Sequence, residues 1–81
     1  MGLPVGINVD RLRKVDFHVE LLLSRTECMA VVIRGGTGKY PGKMGDVVYK
    51  TDRYPAHRSH DAEDDARRWI NNNNVGRVYV V

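Results

Sequence analysis

The stretch VDFHVELLLSRTECMAVVIR, residues 15–34, decides the fold. Apolar and polar residues alternate through its first half, which is the pattern of a strand with one buried face. The polar residues SRTE, 24–27, then separate this segment from the apolar run CMAVVIR, as a turn does between neighbouring strands. The stretch therefore predicts an antiparallel β-hairpin.

A glycine-rich loop and a third strand follow the hairpin. The loop, residues 35–46, is either a flexible hairpin connection or a lysine-bearing loop that lies along a phosphate backbone. DVVYKTD, residues 46–52, alternates and so predicts a strand with Val47, Tyr49 and Thr51 on one face.

The clearest helix is SHDAEDDARRWINNNN, residues 59–74, in which acidic residues fill the first turns and arginines lie near the other end. Ser59 is the expected N-cap, and the asparagine run is expected to end the helix by adopting left-handed geometry. VGRVYVV, residues 75–81, predicts a closing strand. The apolar stripe that must face the sheet consists of Ala62, Ala66, Trp69 and Ile70.

Together these elements predict an α+β fold, a three- to four-stranded antiparallel sheet with one helix packed on one face, in the order β-β-β-α-β. The opposite face of the sheet is expected to be wet and available. Residues 1–81 are interpreted as a single domain with a flexible N-terminal tail at 1–6. Residues 8–15 fit either a short helical turn capped by Asn8 or Asp10 or a lead into the first strand.

Composition favours a cytoplasmic protein that does not enter the membrane. No apolar run approaches the roughly 20 residues of a membrane span, and the first residues lack the pattern of a signal peptide. The single cysteine, Cys28, lies inside an apolar run, as expected of a buried thiol in a reducing compartment.

Charge is distributed unevenly along the chain, whose formal net charge is +3. Residues 34–58 contain six cations and two acids, whereas residues 59–70 contain four acids and two arginines. Such clustering favours binding to a polyanion over mere solubility.

The glycine-rich loop fails both nucleotide-binding patterns. In a P-loop, Gly-Lys is followed by Ser or Thr, but Gly38-Lys39 is followed by Tyr40, and Ile33 stands where the first glycine belongs. The dinucleotide pattern G-x-G-x-x-G fails because Pro41 occupies the third glycine position. The sequence therefore predicts no cofactor.

No set of residues predicts catalysis or a metal site. His57, His60 and Asp61 lie close together in sequence, but zinc generally requires three or four ligands and no further set is spaced to supply them. The carboxylates of residues 61–65 are explained by the helix dipole and by ion pairing. The sequence therefore predicts a non-enzymatic protein with no catalytic residue and no bound metal, and the enzymatic alternative is a metal-dependent activity that needs His57 and His60.

Cations beside tyrosines predict a nucleic-acid-binding module, for DNA or RNA. Cations neutralise phosphates, and tyrosines stack on unpaired bases, although the same tyrosines suit packing in the core or over the loop bases. By analogy at the level of the fold, a three-stranded sheet backed by a C-terminal helix is similar to DNA-binding modules that lay the sheet in the major groove. Double-stranded-RNA-binding domains are disfavoured, because this helix opens with acidic residues. The predicted contact residues are Arg34, Lys39, Tyr40, Lys43, Lys50, Arg53, Tyr54 and Arg58.

The alternative is a small protein-interaction module, such as a regulator or inhibitor. It would act through an apolar edge strand at residues 78–81 and through the acidic helix, and a homodimer is one form of it.

Overall fold

The computed structural model of the protein describes residues 8–73 and the backbone of residues 78–80, so the predicted tail at 1–6 lies outside the described residues. None of the helices in these residues has the length and apolar character needed to traverse a bilayer. A 3₁₀ turn, Ala56–Arg58, leads into the long helix. The helices are α1, Val9–Leu12, and α2, Ser59–Asn72, and the strands are β1, Phe17–Leu23, β2, Glu27–Arg34, β3, Val47–Lys50, β4, Tyr54–Pro55, and β5, Val78–Val80.

The predicted α+β fold is confirmed. The sheet has the order β3-β2-β1-β5, with the short strand β4 paired to β2, and the pairs among β1 to β4 are antiparallel. Strand β5 is an exception to the expected antiparallel sheet, because it pairs with β1 in parallel. The reason is topological: α2 carries the chain across the sheet, so β5 runs in the same direction as β1.

Helix α2 packs on one face of the sheet through the predicted stripe. Ala62, Ala66 and Ile70 are fully buried against β1 and β2, and Trp69 packs at the margin of this core. The strands contribute alternate residues, including Phe17 and Val19 from β1. Burial of this apolar surface is the main force that holds the helix to the sheet.

The opposite face is less wet than expected, because α1 covers one end of it. Asn8 caps this four-residue helix by accepting hydrogen bonds from the amides of Asp10 and Arg11, at 3.0 and 3.3 Å. Leu12 then packs against Val31 and Ile33, which are buried on the side of the sheet away from α2. Residues 8–15 thus form the helical turn, with Asn8 as its cap.

The prediction that Val47, Tyr49 and Thr51 share one face of the sheet is wrong, because β3 contains a β-bulge. Val47 pairs with Ile33, whereas Tyr49 pairs with the adjacent residue of β2, Val32, so one extra residue is inserted in β3. Consequently Val47 belongs to the cluster beneath α1, and Tyr49 packs with the core beneath α2.

The N-terminal end of α2 differs from the expectation. The N-cap is Arg58 rather than Ser59, since the 3₁₀ turn runs directly into the helix, and no side chain forms a capping hydrogen bond there. At the other end Asn73 has a negative φ, and its side-chain amide donates to the carbonyl of Trp69 at 2.8 Å. The Asn73 side chain thus caps the last turn, and Asn74, where left-handed geometry would come next, lies outside the described residues.

Candidate nucleic-acid interface

Backbone hydrogen bonds join the glycine-rich loop to the segment that precedes β1. The amide of Gly35 donates to the carbonyl of Asp16 at 2.7 Å, and that of Gly36 donates to the carbonyl of Leu12 at 2.9 Å. The amide of Thr37 donates to the carbonyl of Val15 at 3.1 Å. Residues 8–16 and 34–46 therefore form one structural unit, called here the loop end.

Arg34, a predicted phosphate contact, lies in the interior of the loop. Its side chain is buried, and its guanidinium donates to the carbonyls of Tyr40 at 2.8 Å, Gly35 at 2.6 Å and Gly38 at 3.2 Å, and also to that of Thr37. The planar fork of donors suits this role, because one side chain can bind several carbonyls at fixed angles. Arg34 thus shapes the loop from within.

The buried side chain of Asp16 also contacts the loop. Its Oδ1 accepts a hydrogen bond from the Thr37 hydroxyl. Its Oδ2 has no hydrogen-bond partner among the described residues. Gly38 lies directly against this carboxylate with a φ of +83°, and a Cβ there would come within 2.7 Å of Asp16 Cγ. The position requires glycine on both counts.

The far side of the loop is closed by hydrogen bonds to β2. The amides of Arg34 and Gly45 exchange bonds with the carbonyls of Asp46 and Arg34, both at 2.8 Å. The Asp46 carboxylate also accepts from the amide of Lys43 at 2.9 Å. The side chains of Lys39 and Lys43 are exposed on this hydrogen-bonded frame.

The net positive charge of the protein lies entirely in the loop end. Residues 8–16 and 34–46 contain six cations and three acids, a net charge of +3, and the whole chain also has a net charge of +3. The remaining residues are therefore neutral on balance. Of the three acids Asp16 is buried and Asp46 accepts from the loop backbone, whereas the cations other than Arg34 are exposed.

Three of these exposed cations, Arg11, Arg13 and Lys14, were missed by sequence reasoning. They follow the α1 cap within NVDRLRKV, so the basic character was visible, but nothing local indicated that the segment meets a loop some twenty residues later. Arg13 forms an exposed ion pair with Asp10 at 3.8 Å, which in water holds it only weakly.

The other predicted contact residues lie elsewhere on the sheet. Lys50 is exposed at the end of β3, while Arg53, Tyr54 and Arg58 lie where β4 pairs with the start of β2. That point is six residues along β2 from Arg34, roughly 20 Å at strand spacing. Arg53 pairs with Glu27 at 3.6 Å and Arg58 with Asp61 at 2.5 Å. The predicted set is therefore divided between two ends of the sheet.

The tyrosines follow the packing alternative. The ring of Tyr40 meets those of Phe17 and Trp69 edge to face, with centroids 5.4 Å apart in each case. Tyr49 stacks on the other side of the cluster, with its centroid 5.2 Å from that of Trp69 and the planes 12° apart. Aromatic pairs of this geometry contribute beyond their buried area.

Asp65 of α2 binds the hydroxyls of two tyrosines from the sheet. Tyr49 donates to Oδ1 at 2.7 Å and Tyr54 donates to Oδ2 at 2.9 Å. The hydrogen bond to Asp65, with burial and the carboxylate charge, raises the pKa of Tyr49 to about 12. The same hydrogen bond is the largest cause of the raised pKa of Tyr54.

Within residues 8–73 and 78–80 the structure groups no three His, Cys, Asp or Glu side chains that could hold a metal ion. His57 and His60 are both exposed. His18 is buried, and its Nε2 lies 2.9 Å from Glu20 Oε2. Cys28 is a buried free thiol whose sulfur lies 3.4 Å from the carbonyl of Pro55.

Comparison with protein-family models, with curated proteins and with solved structures gives no match for this chain.

Proposed function

We propose that the protein is a small, non-enzymatic nucleic-acid-binding module that binds phosphates through its loop end. The observation that carries the proposal is the concentration of the whole net charge in residues 8–16 and 34–46. Cations clustered on one surface attract a polyanion and gain free energy from the counterions that it releases. A reducing, cytoplasmic setting belongs to the same proposal, since Cys28 is a free thiol.

The proposed contacts are made by side chains on a fixed backbone. Lys39 and Lys43 extend from a loop whose carbonyls are bound by Arg34, and Lys14 and Arg13 extend from the segment hydrogen-bonded to it. Cations held at fixed positions lose less conformational entropy on binding than cations on a flexible loop. Arg34 acts as a positioning residue, and Arg53, Tyr54 and Arg58 take a lesser part, since each already has a partner.

Fluorescence anisotropy with a labelled oligonucleotide at several salt concentrations tests the proposal. For duplex DNA, each lost phosphate contact makes the negative slope of log K against log salt shallower by about 0.9. The double variant Lys39→Ala with Lys43→Ala should therefore make it shallower by about 1.8. The matched control is Arg25→Ala with Arg68→Ala, which removes the same charge from exposed positions outside the loop end. Equal slopes for the two double variants would refute the assignment.

The second candidate function is the protein-interaction module, which two observations support. Strand β5 lies at an edge of the sheet, where an extended partner strand can pair. Leu22 and Leu23 are 42% and 63% exposed beside a cavity of about 180 Å³ at the tip of the hairpin. The acidic helix adds less than expected, since Asp65 binds two tyrosines and Glu63 pairs with Arg67 at 3.7 Å.

Sedimentation over a range of protein concentrations tests the homodimeric form of this candidate. Self-association that Leu22→Lys abolishes, with an unchanged circular dichroism spectrum, would favour it. A monomer at every concentration would remove the homodimer.

A further inference from the structure

We propose that the ligand of the loop end is double-stranded nucleic acid bound through its phosphate backbone, and that none of the aromatic side chains within residues 8–73 takes up an unpaired base. The inference rests on the proposed function and narrows it. It is carried by the positions of the aromatic rings, which the sequence alone had suggested for base stacking.

Proteins that bind single strands rely on exposed aromatic faces. Each base stacked on such a ring strengthens binding by roughly 5- to 140-fold, so a surface without free rings loses this source of affinity. Among residues 8–73 every aromatic side chain is buried or half-buried, and none is exposed. These side chains are Phe17, Tyr40, Tyr49, Tyr54 and Trp69.

The aromatic residue adjacent in sequence to a proposed phosphate contact of the loop end is Tyr40, and its half-buried ring packs against the core. It follows Lys39 directly in the loop, yet its ring packs edge to face against both Phe17 and Trp69. Its carbonyl is held by Arg34 Nε at 2.8 Å, so the backbone at this position is fixed as well. Turning the ring outward to meet a base would open the aromatic cluster and disturb the loop.

The other two tyrosines of residues 8–73 have partners at both ring and hydroxyl. Tyr49 stacks on Trp69 and donates to Asp65, so a base could reach the ring face that Trp69 covers only by displacing the indole. Tyr54 donates to the same carboxylate, and the guanidinium of Arg58 lies over its ring, 5.9 Å from the centroid. Both rings are half-buried and each already has a neighbouring side chain over one face.

Cations on a rigid frame suit a duplex. Duplex DNA carries one phosphate charge per roughly 1.7 Å of axis, about twice the density of one of its strands, at regular positions along a stiff rod. The slope of log K against log salt is about −0.9 per contact for the duplex and −0.7 per contact for a single strand. For the four cations Arg13, Lys14, Lys39 and Lys43, these values give slopes of about −3.6 and −2.8.

Anisotropy titration of the full chain with a labelled 20-base-pair duplex and with an unstructured 20-nucleotide oligothymidine, at 50 and 200 mM salt, tests the inference. If both affinities extrapolate to the same value at 1 M salt, the duplex binds about tenfold more tightly at 50 mM and loses about 150-fold in affinity by 200 mM. The single strand should lose about 50-fold over the same interval and keep no salt-resistant binding.

The outcomes separate this inference from the proposed function. Duplex binding stronger than single-strand binding, with these slopes, supports both. Oligothymidine that binds as tightly as the duplex, or retains its affinity at 200 mM salt, overturns the duplex preference and leaves nucleic-acid binding in place. Absence of binding to either probe at 50 mM salt overturns the proposed function and this inference with it.

Discussion

The Nε atom of Arg34 donates a hydrogen bond to the carbonyl oxygen of Tyr40 across a span of 2.8 Å. This contact links the loop to the core, because the ring of the same tyrosine packs against both Phe17 and Trp69. Arg34, at the end of β2, thus fixes the shape of the loop, and the lysines of the loop remain exposed.

Arg34→Lys should destabilise the fold by about 2–4 kcal/mol. A lysine ammonium cannot reproduce the planar fork, so several of the loop carbonyls that Arg34 binds would lose their donor. Urea denaturation measures the loss, and amide exchange should speed up selectively in residues 35–40. Arg53→Lys is the control, because its exposed pair with Glu27 predicts a change within about 0.5 kcal/mol. Equal effects of the two substitutions would contradict the structural role of Arg34.

Gly35→Ala should separate the loop from the segment before β1. A Cβ at this position would overlap the carbonyl oxygen of Val15, and backbone on both sides would have to move. Overpacking of this kind costs about 1–3 kcal/mol, which thermal unfolding would register. Met44→Ala, in the same loop with a 40% exposed side chain, is the control and should change stability by less than about 0.5 kcal/mol. A neutral Gly35→Ala would show that the two segments are not held together here.

Much of the fold could be predicted from local patterns. The hairpin follows from alternation within residues 15–34, and the buried face of α2 follows from the spacing of Ala62, Ala66 and Ile70. The parallel pairing of β5 could not be predicted, because it depends on the end of the sheet to which α2 returns the chain. The bulge in β3 was equally hidden, since a single inserted residue leaves no mark on composition.

The candidate site was predictable only in part. Lys39 and Lys43 are exposed in the loop, as a glycine-rich basic segment suggests. Arg34 looked the same from the sequence, and its burial depends on carbonyls that face it only in the folded loop. Lys14 was missed because its nearness to the loop arises from backbone hydrogen bonds between segments far apart in sequence.

Asp65→Asn should lower the pKa of both tyrosines that bind this carboxylate. The hydrogen bond from Tyr49 to Asp65 is the largest cause of its raised pKa of about 12, and the same holds for the raised pKa of Tyr54. A neutral amide removes the repulsion of tyrosinate, so absorbance at the tyrosinate band should appear at lower pH. Asp64→Asn is the matched control, because Asp64 contacts Arg67 at 3.3 Å instead. Identical titrations for the two variants would exclude the Asp65 contacts.

The same pair gives stability a definite dependence on alkaline pH. Because the pKa of Tyr49 is raised from 10.0 to about 12 on folding, its contribution to stability is full below pH 10 and is lost as the pH rises to about 12. Urea midpoints should therefore fall more steeply over this range for the native chain than for Asp65→Asn. At pH 7 the substitution should cost about 1–2 kcal/mol, since weaker hydrogen bonds replace those to a charged acceptor. Parallel curves from pH 9 to 12 would contradict this linkage.

Lys14→Ala should weaken nucleic-acid binding as much as Lys43→Ala does, if the loop end acts as one surface. Lys14 is exposed and lies next to Val15, whose carbonyl accepts from the amide of Thr37, so its backbone lies beside the loop. Each substitution should reduce the salt slope by about 0.9, and the double variant by about 1.8, because separate phosphate contacts add. Arg25→Ala, in the turn between β1 and β2, controls for the loss of one charge. If Lys14→Ala has the same salt slope as Arg25→Ala, the interface is confined to residues 35–46. If Lys43→Ala has the same salt slope as Arg25→Ala, the interface does not include the loop.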